Sequence, residues 1–187
     1  MRKLAILVVS LMSFVFVYGQ QSDEKSTYVY GVDYRFCKVF GADEGVEDFA
    51  KAFCGINRLL VTESDKYDFA KMLRKRVNIV VSPMIALHEE CRFDDMLTLD
   101  KVYNNVDCEA VVNGYELKES VGTGVVLIAK WLDKAVGEGV YELIVFDVAS
   151  RQIVYRNEVV GSARGFGLRN YWAGSVYDVL KGRRVKY

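Results

Sequence analysis

The chain has 187 residues, with 25 basic and 25 acidic side chains and a net charge of zero. An apolar share of 51% is enough for a sizeable core, while the balanced charge leaves no electrostatic footprint for nucleic acid. A single proline, Pro83, and no low-complexity linker beyond residues 20–26 mark no domain boundary, so one domain is expected.

Arg2 and Lys3 precede an apolar run over residues 4–18, and a small residue, Gly19, stands before Gln20. This is the layout of a secretory signal peptide cut after residue 19. The run is about 15 residues, short of the roughly 20 that a spanning helix needs. The first cysteine is Cys37, too far away for lipid anchoring at the cut. Loss of residues 1–19 removes Arg2 and Lys3 and no acid, leaving 23 basic against 25 acidic groups, a net charge of −2. Residues 20–26 read as a flexible N-terminus and 27–187 as a single exported domain, periplasmic or secreted, with no stable membrane span.

Residues 28–40 alternate as one long strand. Tyr28, Tyr30, Val32, Tyr34, Phe36 and Phe40 share a face, with Asp33, Arg35 and Cys37 opposite. Asp43 is placed to cap the next helix, whose first turn holds Glu44, Glu47 and Asp48. Val46, Phe49, Phe53, Ile56 and Leu60 form its core face. Residues 67–76 suggest a second short helix burying Phe69, Met72 and Leu73. Residues 77–81 read as a strand ending at Ser82-Pro83. The stretch 84–105 has no clean period, and its residues 97–103 fit either a strand or a helical turn. Asp107 suits the N-cap of a short helix over 108–113, ended by Gly114.

Residues 125–129 are apolar on both faces, which suits a strand covered on both sides. A second strand runs over 140–148, where Val140, Ile144, Phe146 and Val148 share a face with Glu142 as the misfit. A third, 153–160, carries Arg156, Asn157 and Glu158, a polarity that suits an edge. A meander of the three is the simplest arrangement. A glycine-punctuated loop, 161–167, leads into a helix with the stripe Leu168, Trp172, Val176 and Val179. Gly174 in mid-helix costs about 1 kcal/mol against Ala, so a packing reason is expected there. Gly182 is placed to end the helix. The expected fold is α+β: a mixed sheet with a C-terminal three-strand meander and helices packed on it.

The run Gly165-Phe166-Gly167-Leu168-Arg169-Asn170-Tyr171-Trp172-Ala173-Gly174-Ser175 is similar to the ending of a family of small exported Bacteroidota proteins. That resemblance carries no activity over to this chain. The strand-strand-strand-helix ending also resembles, in topology, the α/β domain of the curli-secretion lipoprotein, the TolB N-terminal domain and the outer-membrane activators of penicillin-binding proteins. This second resemblance implies a protein-interaction module and transfers no functional residue.

The chemistry-bearing residues form no known constellation. His88 is the only histidine, and His88-Glu89-Glu90-Cys91 lacks the ligand number and spacing of a zinc site. No nucleophile elbow, Cys-x-x-Cys or Walker loop is present. Glu89-Glu90 and Asp94-Asp95 are adjacent carboxylates, and solvated surface is the default for such pairs. Asp33 is the best candidate for a buried carboxylate, with Arg35 as partner. Four cysteines in an exported chain permit disulfides, and Cys37 with Cys54 is one option. Cys37 on the polar face of its strand speaks against it, and free cysteines are preferred. No catalytic residue, metal or cofactor is expected.

The loop 161–167 precedes a helix N-terminus, where backbone amides with Arg164 and Arg169 suit an anion. Phe166 and Tyr171 anchor a partner if exposed, and Asn170 lies between them in the sequence. The expectation is a non-catalytic exported domain that binds a protein or envelope component through Arg164, Phe166, Arg169, Asn170 and Tyr171. A small anionic ligand at the glycine loop is the alternative, and a carboxylate-based hydrolase the weakest.

Overall fold

The computed structural model describes residues 26–101 and 105–187; the signal-peptide segment and nearly all of the flexible N-terminus lie outside the described residues. The strands are β1 (Thr27–Asp33), β2 (Lys38–Phe40), β3 (Asn78–Ile79), β4 (Leu97–Thr98), β5 (Thr123–Asp133), β6 (Glu138–Asp147) and β7 (Ile153–Ser162). The helices are α1 (Val46–Thr62), α2 (Phe69–Leu73), α3 (Ser82–Glu90), α4 (Cys108–Asn113) and α5 (Leu168–Leu180). This is an α+β domain built on one mixed sheet.

β5 is the axis of the sheet. Val125 to Ala129 are fully buried, as a strand apolar on both faces requires. β1 and β2 lie end to end along one side of β5, both parallel to it. Outside them, β3 pairs parallel with β1 and β4 with β2. On its other side β5 begins the expected meander, pairing antiparallel with β6, which pairs antiparallel with β7.

The single long strand expected over 28–40 is therefore two. Gly31 (φ 99°) shifts the register, and a turn at 34–37, closed by Cys37 N–H to Tyr34 C=O, separates them. The shift also breaks the predicted two-face pattern. Val29, Val32, Tyr34, Cys37 and Val39 all enter the core shared with α1 and α5, whereas Tyr30 joins the opposite core with Val126, Ile144 and Phe146. Cys37 thus sits beneath the helices rather than on a polar face. All four cysteines are free thiols, and burial pushes the Cys37 thiol far above its ordinary pKa.

The helices follow their patterns closely. Phe49, Phe53, Ile56 and Leu60 are fully buried, as are Phe69, Met72 and Leu73 of α2 to within a few per cent. α1 starts later than Asp43 predicts, with Gly45 at the N-cap and no side-chain cap bond. Asp107 caps α4 through Ala110 N–H at 3.0 Å. The strand expected over 77–81 shortens to two residues because Pro83 opens α3 immediately after it. Of 97–103, only Leu97 and Thr98 form a strand.

Candidate functional site

The end of β7 and the start of α5 are built around glycines that let backbones touch. A Cβ at Gly161 would stand 2.0 Å from Ser175 C=O, and one at Gly174 would stand 2.2 Å from Arg164 C=O. The helix therefore rests directly on the strand end and on the loop. Gly174 has the packing reason its cost implies. Gly165 and Gly167 take φ of 132° and 78°, which L side chains rarely adopt.

The backbone leading into them is tied to the β5–β6 turn and to α5. Ser162 N–H donates to Asp178 Oδ2 at 3.0 Å, Ala163 N–H to Gly137 C=O at 2.7 Å, and Arg164 N–H to Tyr171 C=O at 3.1 Å. These amides are engaged within the protein and do not converge on an open anion site. The Arg164 guanidinium pairs with Asp178. Arg169 bonds Asn170 Oδ1 at 3.1 Å, and its stem lies over Gly55 of α1. It lines a shallow groove with Glu44, Asp48, Lys51 and Leu168. Tyr171 is half-buried, with its ring edge-on to Trp172 at 5.0 Å and its hydroxyl against Gly137. Trp172, Val176 and Val179 are fully buried, so the stripe docks the helix as expected.

Phe166 is the exception. It is 96% exposed at the tip of this tied loop. Val136, beside the Gly137 carbonyl that holds Ala163, is exposed as well. The structure thus gathers Arg164, Phe166, Arg169, Asn170 and Tyr171 at one margin of the sheet. Tyr171 and Arg164 serve as supports there, and Phe166 is presented to solvent.

The second polar constellation lies at the end of β1. Asp33 is buried and bonded by Arg35 Nη2 at 2.8 Å, by Arg35 N–H at 3.0 Å and by the Tyr115 hydroxyl at 3.0 Å. His88 Nε2 lies 3.7 Å from Asp33 Oδ1 and accepts Tyr34 N–H at 2.9 Å. Burial alone would raise the Asp33 pKa. The Arg35 guanidinium and the Arg35 N–H that bond the carboxyl lower it by more, so it stays well below the usual range. An ionised, fully enclosed carboxylate beside an occupied imidazole nitrogen offers no substrate access. This cluster instead bonds the ends of β1, α3 and the segment after α4 to one another.

A parallel clamp holds α1. Asn57, fully buried, accepts Val32 N–H at 2.8 Å and donates to Val32 C=O at 2.9 Å. Gly31 makes room for it, since a Cβ there would lie 2.2 Å from Asn57 Oδ1. The sequence signal was an asparagine inside the apolar stripe of α1. Glu89 pairs with Arg58 and Asp94 with Arg92 on open surface. Among the described residues, no group of three or more His, Cys, Asp or Glu side chains is placed to hold a metal ion.

Comparison with family models found no match, and neither curated proteins nor solved structures matched the chain.

Proposed function

We propose that this chain is an exported, non-catalytic domain, periplasmic or secreted, that binds a protein or another envelope component through the β7–α5 loop. The observation that carries this reading is Phe166, 96% exposed on a loop whose backbone is bonded to the β5–β6 turn and to α5. An aromatic ring is costly to leave in water. Held in place beforehand, it loses little conformational freedom on binding, and such rings are typical energetic anchors. Asn170 and Arg169 beside it supply hydrogen-bonding groups for the rim of a contact. Export rests on the N-terminal pattern of Arg2, Lys3 and the apolar run ending at Gly19.

The test is cross-linking in the native envelope with tagged wild-type, Phe166→Ala and Leu99→Ala proteins. Leu99 is an equally exposed apolar residue near the other margin of the sheet. Phe166→Ala is expected to lose the cross-linked partner with its melting temperature unchanged, while Leu99→Ala keeps it. Equal capture by all three overturns the assignment of the loop. Intact-mass analysis of protein from the native host checks export: a mature N-terminus at Gln20 is expected, and a mass retaining residues 1–19 refutes it.

A further inference from the structure

The sheet has two very different edges. One is made of β3 and β4, two residues each. The other is β7, ten residues long, with no strand beyond it among the described residues. An open edge of that length presents unpaired backbone N–H and C=O groups that invite another strand.

Two contacts show which residues turn those groups outward. Ser162 N–H donates to Asp178, and Val160 C=O accepts from Arg183 at 3.3 Å, so both face away from β6. Outward groups recur at every second residue of an antiparallel strand, which places those of Arg156 and Glu158 on the open side too. The side chains of Arg156 and Glu158 share one face of the sheet, since both belong to the cluster around Glu142 and Lys130.

We propose that two copies of this chain pair through β7 as an antiparallel, two-fold ladder centred on Asn157. A two-fold register matches residues at equal distances on either side of the axis. Centred on Arg156 or on Glu158, it sets like charges face to face. Centred on Asn157, it sets Arg156 of each copy opposite Glu158 of the other. The same register brings Val154 opposite Val160, the two exposed valines of the strand at 54% and 43%. It also matches the outward positions 156 and 158 with one another, as hydrogen-bonded antiparallel pairs require, while a register shift at Val154 ends the regular alternation beyond Tyr155.

The surrounding charges accept this arrangement. Lys130 lies 3.2 Å from Glu142 and 2.6 Å from Glu158, and Arg156 lies 3.1 Å from Glu142. Glu109 lies 3.9 Å from Arg156 as well, so each cluster holds two cations and three carboxylates, and the charge of −1 on each is opposed by the two Arg156–Glu158 pairs across the axis. Arg183, a half-buried side chain on the C-terminal tail, yields Val160 C=O to the second copy. The two Ser162 ends stand roughly 35 Å apart along the shared ladder at about 3.4 Å per residue. Each Phe166 loop therefore stays clear of the interface.

Sedimentation equilibrium of the purified protein tests the pairing. A monomer–dimer equilibrium is expected between about 1 and 100 µM, as suits an interface of a single strand pair. Glu158→Arg weakens the dimer by roughly tenfold or more, because both cross-axis pairs become like-charged. Arg156→Glu does the same, and mixing the two variants restores a heterodimer in which every pair is again opposite. Asn157→Cys tests the register independently and remains informative if a charge variant fails to fold. Facing Cα atoms at the axis lie about 4.5 Å apart, so added copper–phenanthroline oxidises the two thiols to a disulfide-linked dimer that the wild type does not form. Protein that stays monomeric at about 1 mM, a dimer indifferent to Glu158→Arg, or an Asn157→Cys variant that does not cross-link overturns the proposal.

Discussion

Gly174→Ala reads the docking of α5 directly. In an open helix, replacing a mid-helix glycine by alanine gains about 1 kcal/mol. At Gly174 the new Cβ would stand 2.2 Å from the Arg164 carbonyl oxygen, 2.8 Å from its nitrogen and 3.0 Å from its carbonyl carbon. All three are backbone atoms of a loop bonded to Tyr171 and, through Ala163, to Gly137, so none gives way cheaply. Overpacking of this kind costs about 1–3 kcal/mol and occasionally more. A 2.2 Å approach to fixed backbone belongs at the upper end, for a net loss of about 2 kcal/mol after the helical gain. Gly55→Ala is the control, because there the Cβ would meet only the Arg169 side chain, with Cδ at 2.8 Å. Arg169 can swing away, and the expected result is a gain of up to about 1 kcal/mol. For a chain of this size 1 kcal/mol moves the Tm by about 2–4 °C. Gly174→Ala should therefore melt roughly 4–8 °C lower in calorimetry, while Gly55→Ala melts slightly higher. A Gly174→Ala protein as stable as its parent would mean that helix and loop do not touch here, and the fixed presentation of Phe166 would lose its basis.

Trp172→Ala is expected to cost about 3–5 kcal/mol in urea unfolding. Among the described residues the indole N–H has no hydrogen-bond partner, so the loss is one of packing; a cost under about 1 kcal/mol would place the ring on the surface instead. The melting temperature should be indifferent to reductant, since all four cysteines are free; a drop of many degrees would reveal a disulfide, which typically contributes about 2–5 kcal/mol. Acid should unfold the domain through Asp33, Glu142 and Asp133. Burial alone would raise each pKa, but bonds from Arg35, from Arg156 and Lys130, and from Lys101 hold the three carboxyls below their ordinary range. The unfolded chain then takes up protons first as pH falls through about 4, so stability is full above that pH and declines below it. Asp33→Asn leaves Arg35 without its partner and should cost about 2–4 kcal/mol at neutral pH, less than a fully buried pair because Arg35 is partly exposed. It should also flatten the acid decline, and an unchanged acid limb in pH-dependent melts would refute this account.

The antiparallel half of the fold was legible because its signals are local. The doubly apolar run 125–129, the polar third strand and the stripe through Trp172 each specify their own burial, and all three lie where they were expected. The parallel half was less legible because its determinants are distant in sequence. Nothing local to residues 28–40 says that Asn57 inserts at Gly31 and that Tyr115 reaches Asp33, yet these contacts accompany the break between β1 and β2. The site was half legible. A glycine-rich run beside aromatic residues marks a tight connection, but the pairing of Arg164 with Asp178 and the inward turn of Tyr171 depend on where the helix lands.

The same division accounts for where recognition can occur. Parallel neighbours need long crossovers, and those crossovers place α1 and α3 over the ends of β1 and seal Asp33 and His88 from solvent. Antiparallel neighbours need only tight turns, so the chain reaches the far margin of the sheet with little left to cover it. α5 folds back over one face of β6 and β7, burying Tyr141 and Val159. Asp178 and Arg183 meet the outward groups of Ser162 and Val160 at the end of β7, and the outer edge before them and the tip of the loop into the helix are left open. The polar cluster with the most perturbed carboxylate is therefore enclosed. The surfaces left for contact are the loop that presents Phe166 and the edge whose Arg156 and Glu158 complement a second copy of themselves.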